Sequence, residues 1–318
     1  MTIPATHAVV CVTPNPALDR TLEVPGLKPG TVMRTASSRV VAGGKGLNVA
    51  RALAALGTET LCMGPLGGAS GRWLEDLAAA EGLRAAWTRC AIETRSCLIL
   101  VDTEAKAATV INEAGPSLSL EDWRRVCSEV LDRSAGSRAV CVSGSLPPGL
   151  PPGEHAELCR SLVGTGAAPW VDTSGTALSA ALAIPGIQLK INREEAEQAL
   201  GRSLGDEGAC AAAARRLVNE GVKTVALTLG DGGAVLASEE GCWRAAAPVV
   251  ETSSAVASGD SFLAGLVAAT ISGRRLPEAL RWGVAAGAAN AAAGGGARFS
   301  RDQFDAMLRR VETRTVPD

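Results

Sequence analysis

The stretch SSAVASGDSFLAG, residues 253–265, places a single carboxylate, Asp260, between a run of small residues and an apolar segment. Apolar residues recur there at helical spacing and define a buried face: Phe262, Leu263, Leu266, Val267 and Ile271. A helix is therefore predicted to begin near residues 258–260. Small residues let the backbone approach a ligand, and the free N–H groups at a helix start bind anions. Asp260 is then either a helix cap or a base that accepts a proton from a bound hydroxyl.

Outward from this helix, strand-like runs alternate with helical segments. The strand-like runs are short, apolar and rich in β-branched residues, and they cover 7–13, 137–144, 168–174, 187–192 and 223–230. The helical segments cover 46–57, 71–82, 119–134, 152–166 and 208–221. Buried parallel strands have this apolar character, and their alternation with helices is typical of a doubly wound α/β sheet. We therefore predict one α/β domain over residues 1–318, with a central sheet flanked by helices.

Two segments interrupt this alternation, one at about 13–42 and one at about 92–113. Both alternate apolar with polar residues and carry a turn in the middle, which is typical of antiparallel strands with one face in water. Two such insertions in one chain are able to join into a small separate sheet. We predict that this small antiparallel sheet is a lid over a cleft.

The composition disfavours several classes of partner. The chain has 31 Lys and Arg against 33 Asp and Glu, without a polybasic block. It has no Tyr and three Phe, so a nucleic-acid surface built on charge and stacking is not expected. Nine cysteines without a C-x-x-C pair, and two histidines, favour buried thiols over a zinc site. No signal peptide and no apolar run of the roughly 20 residues that cross a bilayer is recognised, so we expect a cytoplasmic protein without a membrane partner.

The turn Gly43-Gly44-Lys45-Gly46 leads into the helical segment at 46–57. Its glycines permit close approach of the backbone to a ligand, while Lys45 offers a charge and Asn48 an amide. The spacing matches neither the phosphate loop G-x-x-x-x-G-K-[ST] nor the dinucleotide fingerprint G-x-G-x-x-G. The turn is therefore either a ligand site or a plain strand–turn–helix junction.

Three further positions follow predicted strands or lie in the proposed lid. Asp19, in TPNPALD, could accept hydrogen bonds from sugar hydroxyls. Arg95 could place a guanidinium on a phosphate, although a solvated surface arginine is the alternative. Ser143 ends a buried strand, where open α/β sheets bind ligands.

Two motifs lie later in the chain. Asn192 and Glu195, three residues apart, could hold Mg²⁺ through water, and the alternative is a helix-capping pattern. The turn TLGDGG at 228–233 follows a strand and could lie near a nucleotide, although hairpin turns of this composition are common.

The order of these motifs along the chain is more specific than any one of them. They are N-P-x-x-D (15–19), G-G-K-G-x-N-V-A (43–50), T-R (94–95), S-G-S-L-P (143–147), N-x-x-E (192–195), L-G-x-x-G (229–233) and G-D-S (259–261). This order resembles the PfkB branch of the ribokinase superfamily, and within it the kinases of phosphosugars.

The resemblance implies a ribokinase-like α/β fold with a small antiparallel β-sheet lid, through which the chain forms a homodimer. ATP and Mg²⁺ are the implied cofactors. The implied reaction phosphorylates a phosphohexose, foremost fructose 1-phosphate to fructose 1,6-bisphosphate. Tagatose 6-phosphate and fructose 6-phosphate are alternative substrates. A ribose or nucleoside kinase and a non-catalytic sugar-binding relative are the alternatives outside that class.

The resemblance also assigns roles to residues. Asp260 matches the catalytic base, and the backbone of Ala257, Ser258 and Gly259 matches the anion hole. The positions that match substrate contacts are Asp19, Gly43, Gly44, Lys45, Asn48, Arg95 and Ser143. The positions that match the nucleotide and magnesium side are Lys190, Asn192, Glu195, Thr228, Gly230, Gly233 and Asn290. Among these, Asn290 is expected near the adenine, and the pair Asn192 and Glu195 near Mg²⁺ through water.

The chain departs from the family pattern before Asp260. The family usually has glycine where this chain has Ala257, and a residue with a hydroxyl or proline where it has Ala255. An alanine at 257 is strained only if the backbone there requires a positive φ. The common K-P-N reads Lys190-Ile191-Asn192 here, which restores a backbone N–H at 191.

Overall fold

Two β-sheets organise the computed structural model, which describes residues 8–317 except Lys106, Ala168 and Ser253. Within these residues the central sheet has ten strands. They are β1 (Val9–Val12), β4 (Thr60–Leu66), β5 (Ala85–Arg89), β8 (Ala139–Ser143), β9 (Pro169–Asp172), β10 (Gln188–Asn192), β11 (Thr224–Thr228), β12 (Ala234–Ser238), β13 (Gly241–Ala245) and β14 (Thr313–Thr315). The smaller sheet has β2 (Ala17–Val24), β3 (Ser37–Gly43), β6 (Arg95–Asp102) and β7 (Ala107–Asn112).

The helices pack on both faces of the central sheet. They are α1 (Lys45–Ala55), α2 (Gly68–Ala80), α3 (Leu120–Ser134), α4 (Pro152–Gly164), α5 (Gly175–Ala181), α6 (Arg193–Leu200), α7 (Glu207–Asn219), α8 (Ser258–Ile271), α9 (Leu276–Ala292) and α10 (Arg301–Leu308). Each of the ten strands and helices predicted in the alternating pattern coincides with one of these elements. The first residues of two predicted strands, His7 and Ala168, lie outside the described residues.

The strands of the central sheet run in the order β14-β13-β12-β11-β10-β9-β8-β1-β4-β5. From β5 to β11 every neighbouring pair is parallel, whereas β12, β13 and β14 extend the sheet in antiparallel fashion. The doubly wound α/β prediction is therefore confirmed. Because β4 and β8 flank β1, the chain reverses its direction of travel across the sheet there. Open α/β sheets bind ligands beyond the carboxyl ends of their strands at such a point.

Successive side chains of β1 alternate between the two helical layers. Val9 and Cys11 pack in a core that includes α1, α8 and α9, whereas Val10 and Val12 pack in a second core with α3 and α4. A third core joins α5, α6 and α7 to the strands from β9 to β13. This alternation has the period of two that is expected of a strand buried on both faces.

Helix α8 is buried on nearly every side rather than on the single face predicted from its apolar spacing. Its residues from Asp260 to Ala269 are all buried, while Ile271 is only half-buried. Glycines permit the close contact with α9, since a Cβ at Gly265 would overlap the Trp282 carbonyl group. The helix is therefore held rigidly, and its first turn has a fixed position.

The smaller sheet is formed by the two insertions, as predicted. The first gives the antiparallel pair β2–β3 and the second gives the antiparallel pair β6–β7. The two pairs join through β2 and β6, which are parallel, so the sheet order is β3-β2-β6-β7. Ala17 pairs with both Gly43 and Arg95, and the three segments therefore meet at one end of the sheet.

Two further findings concern the hydrophobicity of the helices and the state of the cysteines in the described part of the chain. None of its helices combines the length and hydrophobicity that crossing a membrane requires. Its nine cysteines form no disulfide, and eight of them are buried. The pKa of the Cys62 thiol is raised to about 12, mainly by burial, so the thiol stays protonated.

Candidate active site

The N-terminus of α8 lies beside the carboxyl ends of the central parallel strands. Gly259, in the first turn, is so close to β10 that a Cβ there would lie 2.9 Å from the Lys190 ammonium group. Asp172 ends β9 and binds that same ammonium group at 3.0 Å. Polar residues of three elements therefore converge where the fold predicts a ligand site.

Asp260 is a buried carboxylate held by a chain of polar side chains. It is 6% exposed and accepts a hydrogen bond of 2.8 Å from Nδ2 of Asn48 in α1. Arg51 donates to Oδ1 of Asn48 at 2.8 Å and so fixes which way the amide faces. Arg51 also donates to the Ala42 carbonyl at 2.7 Å and forms an ion pair with Glu81. The chain of contacts thus connects the carboxylate to the far end of α2.

Two lysines share the fully buried carboxylate of Asp172. Lys45 lies 2.6 Å from its Oδ1, and Lys190 lies 3.0 Å from its Oδ2. Burial alone would raise the pKa of Asp172, but the two ammonium groups lower it below its usual range. Lys45 also lies 3.6 Å from Glu195. Although burial opposes its charge, Asp172, Asp260 and Glu195 raise the pKa of Lys45 above its usual range.

The pKa of Asp260 is raised above its usual range. Burial is the largest cause, and the neighbouring Asp172 carboxylate adds to it. The charges of Lys45 and Lys190 and the hydrogen bond from Asn48 act in the opposite direction. A buried carboxylate with a raised pKa is a stronger proton acceptor than an exposed one, which suits a general base.

Ala257 adopts the left-handed conformation, with φ 65° and ψ 13°. This is the position where the family pattern has glycine, so the backbone does require a positive φ and the alanine is strained. Of the three expected anion-hole amides, that of Ser258 donates to the Ala255 carbonyl at 3.1 Å. The amides of Ala257 and Gly259 have no acceptor among the described residues. These two are the donors left for an anion.

Asp19, Gly43 and Gly44 come together where β2 and β3 meet. A Cβ at Gly43 would overlap the Asp19 carboxyl group, and one at Gly44 would contact Thr13. Gly44 also has a φ of 112°, which favours glycine. The pKa of Asp19 is raised to about 6, chiefly by burial and against the charges of Arg95 and Arg51. The glycines are therefore needed for the carboxylate to lie against the turn.

Arg95 begins β6 and spans two loops. Its Nε and Nη2 donate to the Asn15 carbonyl at 3.2 and 2.9 Å, and Nη1 donates to the Glu113 carbonyl at 2.6 Å. The guanidinium has five N–H donors, so these contacts leave two for a ligand. Arg95 is half-buried and its charge acts on Asp19, which puts both side chains in one region.

Ser143 has no exposed surface in the structure. It ends β8 as predicted, but it is 0% exposed and its Oγ has no hydrogen-bond partner within the described chain. In this structure the hydroxyl is closed off from solvent, so its contact with a ligand stays a prediction. The next serine, Ser145, lies 3.4 Å from Nδ2 of Asn15 and borders the Arg95 region instead.

A cavity of about 520 Å³ opens beside the first turn of α8. Five of the predicted nucleotide and anion-hole residues line it: Thr228, Gly230, Gly233, Ser258 and Gly259. Its apolar wall includes Phe262, Val284 and Ala288. The turn at 228–233 is a hairpin between β11 and β12, in which Gly233 has a φ of 93°. Cavities of roughly 300–1,000 Å³ with apolar walls are typical of small-molecule sites.

Asn192 and Glu195 form a capping box at the start of α6. The Asn192 Oδ1 accepts from the Glu195 amide at 2.8 Å, and the Glu195 Oε2 accepts from the Asn192 amide at 2.8 Å. The capping alternative from the sequence is therefore correct for these oxygens. The other oxygen, Oε1 of Glu195, faces Lys45. No cluster of three or more His, Cys, Asp and Glu able to hold a metal occurs among the described residues.

Asn290 does not line the cavity, in contrast to the expectation that it lies against adenine. It is 0% exposed, and its amide is used within the protein, on residues 256, 258 and 297. Its neighbours on α9, Gly287, Ala288 and Ala291, line the cavity in its place. The physical reason is the helical phase, which turns Asn290 toward the loop before α8.

Sequence reasoning missed several residues of the site. Asp172 was signalled by its place at the end of a predicted strand, where a carboxylate is unusual. Arg51 and Glu81 gave no signal, because Arg51 lies in α1 and Glu81 directly follows α2, and charged residues are ordinary in and beside amphipathic helices. The loop at 247–252 that covers the cavity also had no recognisable pattern.

Comparison with known proteins identifies the family of the chain. The family model described as pfkB family carbohydrate kinase matches residues 10–302. The chain is 36% identical over 266 residues to a 1-phosphofructokinase of Xanthomonas campestris, covering 82% of this chain and 84% of the relative. It is 34% identical over 277 residues to the Escherichia coli ATP-dependent 6-phosphofructokinase isozyme 2, covering 86% and 89%. The E. coli phosphofructokinase-2 solved in complex with fructose-6-phosphate superposes with a TM-score of 0.89 at 31% identity, covering 96% and 99%. The chain, with this fold and this site, belongs to the pfkB family of carbohydrate kinases.

Proposed function

We propose that this protein transfers the γ-phosphate of ATP to a hydroxyl of a phosphohexose, with fructose 1-phosphate as the preferred substrate and fructose 1,6-bisphosphate as the product. The observation that carries the proposal is the position of Asp260. It follows directly after Ser258 and Gly259, which line the cavity, and it is hydrogen-bonded to Asn48 on the side of Lys45 and Asp19. The carboxylate thus stands between a nucleotide-sized cavity and a polar region suited to a sugar.

In the proposed mechanism Asp260 accepts the proton of the substrate hydroxyl as its oxygen attacks the γ-phosphorus. The raised pKa of the carboxylate makes it a better proton acceptor, and its contact with Asn48 keeps one oxygen directed at α1. The second oxygen is then the one available to the hydroxyl. No covalent intermediate with the protein is required, because phosphoryl transfer depends mainly on positioning and charge stabilisation.

The transferred phosphoryl group meets positive charge from several directions. The open amides of Ala257 and Gly259 and the dipole of α8 act at the helix start. The Lys190 ammonium group lies next to Gly259. These donors are fixed before the substrate binds, because α8 is buried and Lys190 is held by Asp172. Such fixed donors stabilise developing charge more strongly than mobile ones.

The chain fits MgATP in two respects. The cavity of about 520 Å³ has apolar walls for a base and a polar end at Ser258 and Gly259 for phosphates. Asn192 and Glu195 would hold Mg²⁺ only through water, because Asn192 Oδ1 and Glu195 Oε2 already accept hydrogen bonds in the capping box. Mg²⁺ retains several waters in most protein sites. When bound with ATP, Mg²⁺ would neutralise part of the phosphate charge.

The sugar side favours a substrate that already carries a phosphate. Asp19 accepts hydrogen bonds from vicinal hydroxyls, and the two remaining donors of Arg95 bind the phosphate of the substrate. A ribose or nucleoside kinase has no need of this cation. A non-catalytic sugar-binding role is disfavoured because the carboxylate of Asp260 is present and is held in place by Asn48, and Lys45 is held nearby by Asp172.

Tagatose 6-phosphate and fructose 6-phosphate are the second candidates for the substrate. The relative from E. coli is named a 6-phosphofructokinase isozyme, at an identity close to that of the 1-phosphofructokinase relative. The three phosphohexoses differ only in the position of one phosphate or the configuration of one hydroxyl. Arg95 and Asp19 are compatible with all three.

We also infer that the small sheet, with its insertions at 13–42 and 92–113, closes over the sugar and joins two chains into a homodimer. Its strands begin at the site, with Ala17 paired to Gly43 and Arg95. Its outer strand β7 exposes Val110 and Ile111 at 45% and 53%. Light scattering should give a dimer mass, and Ile111→Glu should give a monomer; a wild-type monomer would refute this inference.

An assay of ADP release tests the main proposal. We expect fructose 1-phosphate to give the highest kcat/KM in a panel with fructose 6-phosphate, tagatose 6-phosphate and ribose. Asp260→Asn should lower kcat by about 10³-fold or more, since a positioned base contributes about 10²–10⁴-fold, while ATP affinity stays within a few fold. Preference for ribose would refute the phosphohexose assignment, and near-normal turnover of Asp260→Asn would refute the role of the base.

A further inference from the structure

Ala257 and Ala297 are the non-glycine residues of the described chain that have a positive φ, at 65° and 58°. A residue with a Cβ is strained in this conformation, because the Cβ approaches the following carbonyl oxygen. Ala257 immediately precedes α8 and Ala297 follows α9, so they are far apart in sequence. Something outside each residue must stabilise the conformation.

The side chain of Asn290 contacts the chain next to both alanines. Its Nδ2 donates to the Val256 carbonyl and to the Ser258 Oγ, each at 2.9 Å, so it binds on both sides of Ala257. Its Oδ1 accepts a hydrogen bond of 2.8 Å from the Ala297 amide. Both donor hydrogens of the amide and one lone pair of its oxygen are therefore used, in a site that is 0% exposed.

The backbone reinforces this contact between the two loops. The Gly296 amide donates to the Val256 carbonyl at 3.1 Å, and the Gly295 amide donates to the Asn290 carbonyl at 3.0 Å. The glycines at 294, 295 and 296 have φ values of 94°, 83° and 70°, so residues 294–297 form a left-handed run. Asn290 stands between this run and the loop before α8.

We propose that Asn290 is a positioning residue that holds Ala257 in the left-handed conformation and so aims the anion-binding amides at α8 into the cavity. The expected effect on kcat rests on the proposed kinase function. If Ala257 relaxed to a negative φ, the adjoining peptide planes would rotate and the orientation of the Ala257 amide relative to the Gly259 amide would change. A glycine at 257 would hold the same conformation unaided, because it has no Cβ.

This role differs from a contact with the nucleotide. Asn290 has no exposed surface and does not line the cavity, whereas Ser258, which it binds, does. It also differs from a purely structural role, because the strain it opposes lies two residues before the cavity-lining Gly259. A positioning role predicts that the effect of removing the Asn290 side chain depends on whether residue 257 has a Cβ.

The test is a set of five variants: Asn290→Ala, Ala257→Gly, Ala297→Gly, and Asn290→Ala combined with each of the two glycine substitutions. Each is measured for kcat, ADP affinity by calorimetry and hydrogen exchange of segment 255–261. We expect Asn290→Ala to weaken ADP binding and to lower kcat by about tenfold each, and to speed exchange of the segment. Measured against Ala257→Gly alone, the double variant should lose much less ADP affinity and kcat than Asn290→Ala loses against wild type, because glycine holds the conformation without Asn290.

Matched controls separate positioning from general destabilisation. Adding Ala297→Gly to Asn290→Ala relieves the strain on the other loop and should not restore ADP affinity. Thr88→Val, in β5, removes a partly buried hydrogen bond of 2.9 Å to Glu129 in α3, and it should lower Tm without changing kcat or ADP affinity. If Asn290→Ala does not fold, Asn290→Ser, which keeps one polar partner, takes its place.

The proposal would be overturned if Asn290→Ala lowered Tm but left ADP affinity unchanged. It would also be overturned by a double variant that stays as weak as Asn290→Ala, or by equal rescue with Ala297→Gly. Hydrogen exchange of the free protein needs no ligand, so it tests the positioning of the loop even if no sugar is phosphorylated. If the wild-type protein binds ADP but phosphorylates no sugar, the proposed function is refuted. The positioning of the loop can still be tested by ADP affinity and hydrogen exchange.

Discussion

Replacing Arg51 by lysine should reduce catalysis without removing any group that touches the substrate. Arg51 binds Asn48, Ala42 and Glu81 with separate nitrogens of one planar group. A lysine ammonium group is compact and cannot span all three. The contact to the Asn48 Oδ1 is the one that directs Nδ2 at Asp260, so its loss frees the Asn48 amide to turn.

The size of the effect follows from the hydrogen bond that is lost. A hydrogen bond to a charged group contributes about 1.5–3 kcal/mol, so kcat should fall about 10- to 100-fold. The pH dependence should change as well. The Asn48 hydrogen bond lowers the pKa of Asp260, against burial and Asp172, so its loss raises that pKa. Because the base works in its ionised form, the acid limb of the kcat profile should move to higher pH.

The assay is a pH profile of kcat at saturating substrates, with Arg298→Gln as the control. Arg298 forms an ion pair of 2.7 Å with the same Glu81 but is 37% exposed and lies outside the chain that reaches Asp260. Exposed ion pairs contribute about 0–1 kcal/mol, so this control should keep the wild-type profile. An Arg51→Lys enzyme with unchanged kcat and an unchanged acid limb would refute the reasoning.

Three further changes have defined outcomes. Arg95→Ala should raise the KM for the sugar phosphate about 10- to 100-fold, because charged hydrogen bonds are lost, and that for ATP by less than about threefold; steady-state kinetics check this. Asp19 has a pKa of about 6 and binds hydroxyls when ionised, so the sugar KM should rise about tenfold from pH 7 to pH 5. Burial lowers the pKa of His155 from 6.5 to about 4, so the unfolded chain binds more protons between these values. Stability should therefore fall by about 3 kcal/mol as the pH drops through this window, measured by urea unfolding.

Each of the three has a control within the chain. Arg39→Ala removes an exposed arginine from the same small sheet and should leave both KM values unchanged. Asp19→Asn should flatten the pH dependence of the sugar KM, and equal slopes in the two proteins would count against Asp19. His155→Gln should remove the corresponding part of the pH dependence of stability, and identical unfolding curves across pH would contradict the assignment.

The predicted helices and parallel strands were recognisable because their signals are local. The apolar strands around β1 and β8 lie between turn residues, and the first turn of α8 follows small residues. Helix α9 was not recognised, because its run of alanine and glycine offers little contrast between buried and exposed positions. The strands β12, β13 and β14 are short and lie toward the end of the sheet, where their pairing depends on distant segments.

In the small sheet, too, the local signals were recognisable and the long-range pairing was not. Alternation of apolar and polar residues predicted its two antiparallel pairs, but nothing local indicated that β2 and β6 run parallel. Their register brings Ala17 next to Arg95, nearly 80 residues away, and this is what puts the guanidinium beside Asp19. Pairing over such a separation depends on the packing of the whole domain.

The sequence by itself determined the class of fold, the start of α8, and the family to which the ordered motifs belong, because these depend on spacing along the chain. Only the tertiary structure decided that Asp172 binds both Lys45 and Lys190, that Ser143 is buried, and that Asn290 contacts loops rather than the cavity. The physical reason is that a side chain's charge and hydrogen-bonding groups are encoded locally, whereas its partners are set by which distant segments the core brings within about 3 Å.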